Sequence, residues 1–302
     1  MNFCIQESVK EKVFVVAHRG TPGGNIPCNT IASYEIALMQ GADMIEIDLN
    51  TTSDGKLIIF HPGMESAHLC FSGSLPETPW SEVQKLRFVN MDNVPTQFGI
   101  ETFDDILEHF KGRCYINVDK FWDNPAEIYK TIKRHNMQQQ VLVKSTLSDG
   151  VLKVLEELAP ELAFMPVVDR VHPRHEELKK RNINYVGAEV LFRADEDEVC
   201  SEEFIHRMHK EGKLVWVNSI IYNKHDQIAA GHSDDTALTE SMEKGWGWLV
   251  DRGFDMIQTD WPLMLINFLK DTNRYYKQES KNGFKTEGAK QKSAPDLAQA
   301  SI

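Results

Sequence analysis

Eight short runs of β-forming residues, each divided from the next by a segment with helical periodicity, constrain this chain more than any other feature. They fall at 13–17, 44–49, 114–119, 141–144, 162–167, 184–189, 214–217 and 255–259. Strand–helix alternation along a whole chain predicts a parallel sheet. Eight repeats match a closed (β/α)8 barrel better than an open doubly wound sheet, so the expected fold class is α/β, a TIM barrel. A single barrel also suits the length of 302 residues, of which 41% are hydrophobic.

The helical segments have readable ends. Asn29 and Thr30 precede a helix whose apolar face is Ile31, Tyr34 and Leu38, and Gly41 stops it. Thr102 with Asp105 opens another, with Phe103, Ile106, Leu107 and Phe110 facing inward and Gly112 closing it. Asn124 is placed as a cap before Pro125, and Ser148 precedes the apolar Val151, Leu152, Leu155 and Leu158.

Two stretches break the rhythm. Residues 62–98 hold prolines, glycines and Trp80 without a clear period, and are expected to be a small insertion after the second strand. Residues 271–302, rich in Lys, Gln, Ser and Asn, are expected to be a flexible polar tail, which leaves 13–270 for the barrel. A formal net charge of -12 without any Lys/Arg run speaks against a nucleic-acid partner. The five cysteines are scattered and show no disulfide or thiolate-metal spacing. No run approaches the roughly 20 apolar residues of a membrane span, and residues 1–12 do not resemble a leader. A cytoplasmic location is the expectation, or a secreted or periplasmic one had a leader been removed; nothing in the sequence sets an oligomeric state.

Polar residues gather where the strands end, the face on which barrel enzymes place their active sites. The first strand runs into His18, Arg19 and Gly20, and the second carries Glu46 and Asp48 two residues apart, hence on one face. Two carboxylates on the inner face of a buried strand repel unless a cation lies between them, and hard oxygen ligands suit Mg²⁺ or Ca²⁺. The third strand brings Asn117 and Asp119 to one face, followed by Lys120; His61 follows a short run at 57–60. Lys144 ends the fourth strand, Trp216 and Asn218 the seventh, and Asp260 follows the eighth.

In order and spacing, these residues resemble the glycerophosphodiester phosphodiesterase family. The series comprises His18-Arg19-Gly20, Asn29-Thr30, Gly41-Ala42-Asp43 leading into Ile45-Glu46-Ile47-Asp48, Thr52-Ser53-Asp54-Gly55, His61, and Gln258-Thr259-Asp260-Trp261-Pro262. The resemblance implies metal-dependent hydrolysis of a small glycerophosphodiester to glycerol 3-phosphate and an alcohol. It assigns one divalent cation to Glu46, Asp48 and Asp119, acid–base catalysis to His18 and His61, and the phosphate to Arg19. Lys144 and Lys120 are expected to add positive charge there, with Asn218 and Trp216 as further substrate-binding residues. Two positions depart from the pattern: Cys28 stands where the family carries Glu before Asn-Thr, and Pro62 where it carries Asp after the second histidine. The resemblance also allows a lipid phosphodiesterase of lysophospholipase D or sphingomyelinase D type, and the two departures keep open a barrel that binds a phosphorylated ligand without turnover.

Overall fold

The computed structural model describes residues 3–223 and 225–277. It contains β1 (Phe14–Ala17), β2 (Met44–Thr51), β3 (Leu57–Ile59), β4 (Tyr115–Asp119), β5 (Val141–Ser145), β6 (Ala163–Val168), β7 (Gly187–Val190), β8 (Leu214–Asn218) and β9 (Met256–Thr259). Eight of these pair in parallel in the order β1-β2-β4-β5-β6-β7-β8-β9, and β9 returns to β1 with Val15 beside Ile257. The sheet is closed, the (β/α)8 barrel that the alternation of segments predicted. β3 stands outside the ring as an antiparallel hairpin partner of β2.

Period-two alternation sorts each strand into an outer and an inner set. Ile45, Ile47 and Leu49 of β2 and Ile116 and Val118 of β4 pack outward into one apolar layer beneath the helices. Val15, Val215, Val217 and Ile257 pack into a second. The inward positions nearest the strand starts form an apolar plug of Phe14, Val16, Met44, Tyr115, Leu142, Met165, Leu214, Trp216 and Met256. The helix α1 (Ile5–Ser8) adds Ile5 to its underside. One inward step further along, the same strands carry Glu46, Asp48, Asn117, Asp119, Lys144, Glu189, Asn218 and Gln258, nearly all buried. Apolar residues thus close the barrel at one end, and charge is concentrated at the other.

Between strands come α2 (Ile31–Met39), α3 (Glu65–Leu69), α4 (Trp80–Val83), α5 (Phe103–Phe110), α6 (Pro125–Arg134), α7 (Asp149–Leu158), α8 (His175–Leu178), α9 (Glu202–Lys210), α10 (Asp234–Thr239), α11 (Trp248–Arg252) and α12 (Pro262–Asp271). Thr30 caps α2 reciprocally with Ser33, and Thr102 caps α5 with Asp105. Ser148 caps α7 through the Val151 N–H. The expectation for Asn124 fails: α6 does begin at Pro125, but the Asn124 side chain makes no capping bond. Its backbone sits at φ −150°, ψ 59°.

β7 starts three residues later than the sequence run. Residues 184–186 meet β6 only through a single bridge at Tyr185, and continuous pairing begins at Gly187. A Cβ at that position would lie 2.1 Å from the Leu214 carbonyl oxygen, so the close approach of β7 to β8 requires glycine there.

The stretch between β3 and α5 folds around a small core of its own, with Phe60, Leu69, Leu75, Val83 and Phe88 buried together. At the far end Tyr275 is buried and Tyr276 bridges Lys12. The expected tail lies outside the described residues from 278 onward.

Candidate active site

The barrel's register brings three carboxylates to one point. Asp48 and Asp119 are direct cross-strand partners, and Glu46 sits one inward step below Asp48, level with Asn117. One oxygen from each of Glu46, Asp48 and Asp119 lies within 4.8 Å of the others. Glu46 and Asp48 are 2% and 1% exposed, which leaves water little part in solvating their charge. Burial, with Asp48 beside it, pushes the Glu46 carboxyl up to about 7. Burial also acts to raise Asp119, but Lys144 and Lys120 outweigh it and hold its carboxyl below the usual range.

Asn29 orients this cluster. Its side-chain Nδ2 donates to Asp48 Oδ2 at 2.9 Å, while its Oδ1 accepts from the Tyr34 hydroxyl at 2.8 Å and the Asp48 N–H at 3.3 Å. Asn29 takes a left-handed backbone (φ 57°), which asparagine tolerates better than most residues. The sequence marks Asn29 as a helix start and as part of the motif series, without a role at the site. Thr30 does the capping, and Asn29 is free to hold a carboxylate.

The turn after β1 is shaped by close packing. Arg19 also lies in the left-handed region (φ 56°), and a Cβ on Gly20 would fall 2.5 Å from Ser33 Oγ. This turn delivers the Arg19 N–H to Glu46 Oε2 at 3.0 Å and its Nε to within 2.9 Å of Asp48 Oδ2. The second contact is ionic and lacks hydrogen-bond alignment. Lys120 closes the opposite side, 2.6 Å from Asp119 and 3.9 Å from Asp48, with its ammonium 5.3 Å from the Trp122 ring centroid.

Both histidines flank this cluster with a defined tautomer. His18 Nδ1 lies 2.8 Å from Asp260 Oδ1, and His61 Nδ1 lies 2.9 Å from the Pro62 carbonyl oxygen. Each partner is an acceptor only, so Nδ1 carries the proton and Nε2 is left as the second ring atom for chemistry. Burial works against the charged form of His18, but the Asp260 hydrogen bond and the charges of Glu46 and Asp260 outweigh it, and its pKa is raised. Burial lowers His61; Asp48 opposes this while Arg19 and Lys120 add to it.

Beneath the carboxylates lies a buried polar floor. Lys144 Nζ is 2.6 Å from Glu189 Oε2, 3.5 Å from Gln258 Oε1 and 4.3 Å from the Trp216 ring centroid. Asn218 donates to the other Glu189 oxygen at 2.6 Å and accepts from Trp216 Nε1 at 2.9 Å. Lys144, Asn218 and Trp216, expected as substrate-binding residues, meet instead in one buried network whose organising anion is Glu189. Trp216 is fully buried in this floor, in contact with Lys144 and Asn218. Glu189 lacked any motif, and only its inward phase on β7 marks it.

Asp234 is the second residue that sequence reasoning missed. At the start of α10, its Oδ1 accepts from Ser219 Oγ (2.6 Å), Trp246 Nε1 (2.7 Å) and Thr259 Oγ1 (2.8 Å). Its Oδ2 accepts from the Asp260 N–H at 2.8 Å. Burial pushes this carboxyl up to about 6 in spite of those donors. Asp234 thus fixes the backbone of the residue that orients His18. A weaker grouping of His175, Glu176 and Glu211 lies away from this centre, with Lys179 paired to both carboxylates.

Comparison with known proteins finds relatives in sequence and in fold. A family model described as a domain of unknown function matches residues 164–269. The glycerophosphodiester phosphodiesterase of Bacillus subtilis is 27% identical over 179 residues, 53% of this chain and 60% of that protein. The enzyme of the same name from Caldanaerobacter subterraneus is 28% identical over 164 residues, covering 50% of this chain and 65% of its own. The chain thus aligns with less than two thirds of the length of these relatives. Among solved structures, a glycerophosphoryl diester phosphodiesterase from Parabacteroides distasonis superposes with a TM-score of 0.72 at 18% identity, over 90% of this chain and 94% of that one. An Oleispira antarctica phosphodiesterase in complex with the product sn-glycerol-3-phosphate superposes with a TM-score of 0.63 at 20% identity, over 88% and 99%. These structural likenesses show the shared barrel.

Proposed function

Because this chain is related in sequence and in fold to the glycerophosphodiester phosphodiesterases, we propose that it hydrolyses a glycerophosphodiester to glycerol 3-phosphate and an alcohol. The observation that carries this reading is the meeting of Glu46, Asp48 and Asp119 between two tautomer-fixed histidines, with Arg19 and Lys120 alongside. The donor set is all hard oxygen, and Asp48 and Asp119 both act on the buried Glu46 as like charges that a cation would relieve, so the three carboxylates fit one Mg²⁺ or Ca²⁺. A cation there would neutralise charge on the non-bridging phosphate oxygens and polarise phosphorus.

The remaining work falls to the side chains. The Arg19 guanidinium pairs with phosphate oxygens through its planar fork, and Lys120 adds a point charge on the other side. His18, held against the Asp260 carboxylate, is favoured in its charged form and serves as the acid that protonates the departing alkoxide. His61, anchored only by a neutral carbonyl, takes the proton from the nucleophile, whether water or a neighbouring glycerol hydroxyl. The Lys144–Glu189 floor keeps a fixed positive end beneath Asp119 and Glu46.

The test is turnover of glycerophosphocholine and glycerophosphoethanolamine with Mg²⁺ or Ca²⁺, then with chelator, beside His18→Ala. Release of glycerol 3-phosphate that needs the cation and falls on the order of 10²-fold or more in the variant supports the reading. Folded, cation-loaded protein that cleaves no phosphodiester overturns it, in favour of a ligand-binding barrel.

A further inference from the structure

A groove of about 410 Å³ opens between the loop that follows β1 and the small subdomain between β3 and α5. Its volume lies within the range of small-molecule sites, about 300–1,000 Å³. One wall is Ile26 and Pro27, and the other is Ala67, Phe88, Val89 and Met91. A hydrogen bond from Asn90 Nδ2 to Asn25 Oδ1 at 3.1 Å ties the two walls together. Among the described residues no Asp, Glu, Lys or Arg lines it, in contrast to the carboxylates and cations of the neighbouring centre.

The groove adjoins that centre. At its inner end, Cys28 Sγ and His68 Nδ1 are 4.0 Å apart, and Cys28 directly precedes Asn29, whose side chain holds Asp48. Both inner residues feel the charges of Arg19 and Asp48. Burial pushes the Cys28 thiol up to about 11 and lowers His68, with Arg19 adding to the second effect, so this end is uncharged at neutral pH. Met91, at the outer lip, is 95% exposed.

Arg19 acts electrostatically on both inner residues of the groove, so a phosphate it held would have an uncharged, largely apolar channel beside it for one of its two ester arms. A quaternary ammonium or a second phosphate would find no counter-charge there, and a carbohydrate few polar partners. We infer that the groove between the β1–α2 loop and the small subdomain binds a hydrocarbon arm of the substrate, making the preferred substrate an amphiphilic phosphodiester. This rests on the phosphodiesterase reading above and specifies its substrate class.

The experiment is a series of glycerophospho-n-alkanols from ethyl to octyl, assayed for kcat/KM in the full chain with Mg²⁺ or Ca²⁺. A parallel series carries the hydrocarbon as an ester on glycerol, with ethanol on the phosphate, and so distinguishes which arm enters. Burial of each methylene should raise kcat/KM about two- to fourfold in one series. The variants Ala67→Glu and Met91→Glu, each at an exposed position, place a charge in the groove and should flatten that slope. Flat dependence on chain length in both series, with all members hydrolysed, overturns the inference and leaves the phosphodiesterase reading standing. A slope that survives both variants also overturns it, since the chain then lies elsewhere. No hydrolysis of any member overturns both readings together.

Discussion

Asp234 accepts the backbone N–H of Asp260 at 2.8 Å, and Asp260 in turn holds His18 Nδ1 at 2.8 Å. A buried carboxylate at the start of α10 thereby sets the position of a histidine at the end of β1, across the seam where the barrel closes.

The end of this relay is the first target. Asp260→Ala should lower kcat about tenfold or more, since the imidazole loses its fixed tautomer. It also removes two of the influences that raise the pKa of His18. Activity that needs protonated His18 is present below that pKa and lost above it, so the alkaline limb of the pH–rate profile should move to lower pH. A limb that stays in place would show that another group sets it.

Asp234→Asn probes the start of the relay. All four hydrogen-bonding partners of Asp234 are donors, and an amide nitrogen would have to face one of them. The expected cost is about 1–3 kcal/mol in urea unfolding, together with a fall in kcat. Unchanged stability would mean that the network rearranges freely.

Asn29→Gly keeps the left-handed backbone accessible and removes the amide that holds Asp48. Cation affinity, measured by titration calorimetry or by the cation dependence of rate, should weaken about 10–100-fold. An unaltered affinity would remove Asn29 from the site.

Glu101 supplies a pH test outside the catalytic centre. It accepts the Ile31 N–H at 2.7 Å, yet burial pushes its carboxyl up to about 7. A group raised in the folded state contributes stability at low pH that is lost as pH rises toward its folded value. Between about pH 4.5 and 7 it should therefore cost the protein roughly 2–3 kcal/mol. Glu101→Gln should flatten that part of the stability–pH curve, read by urea unfolding at several pH values.

Lys144 and Glu189 form a buried pair 2.6 Å apart. Lys144→Met alone leaves the Glu189 charge uncompensated and should destabilise by about 3–5 kcal/mol. Adding Glu189→Met should recover much of that loss. Additive effects of the two substitutions would show that they do not interact.

Much of this architecture was legible in the chain. Strand–helix alternation gave the closed barrel, and period-two spacing put Glu46 with Asp48 and Asn117 with Asp119 on inner faces, because pleat geometry is local. The start of β7 was misplaced because 184–186 has strand-like residues but meets its neighbours through a single bridge, and continuous pairing starts only at Gly187. The capping bond expected of Asn124 failed because its backbone leaves the extended region that a cap uses.

The sequence by itself determined the residue types and their phase: a carboxylate every second position, a histidine after a strand, a small residue where backbones touch. Only the tertiary structure decided which of them meet. Glu189 and Lys144 are 45 positions apart, and Asp260 lies 242 positions from His18; closure of the barrel brings each pair within hydrogen-bonding distance. The apolar groove beside the centre is likewise made by two loops that neither carries alone. Local periodicity follows from backbone geometry, whereas cross-barrel contacts depend on register, closure and packing, which no short stretch of sequence contains.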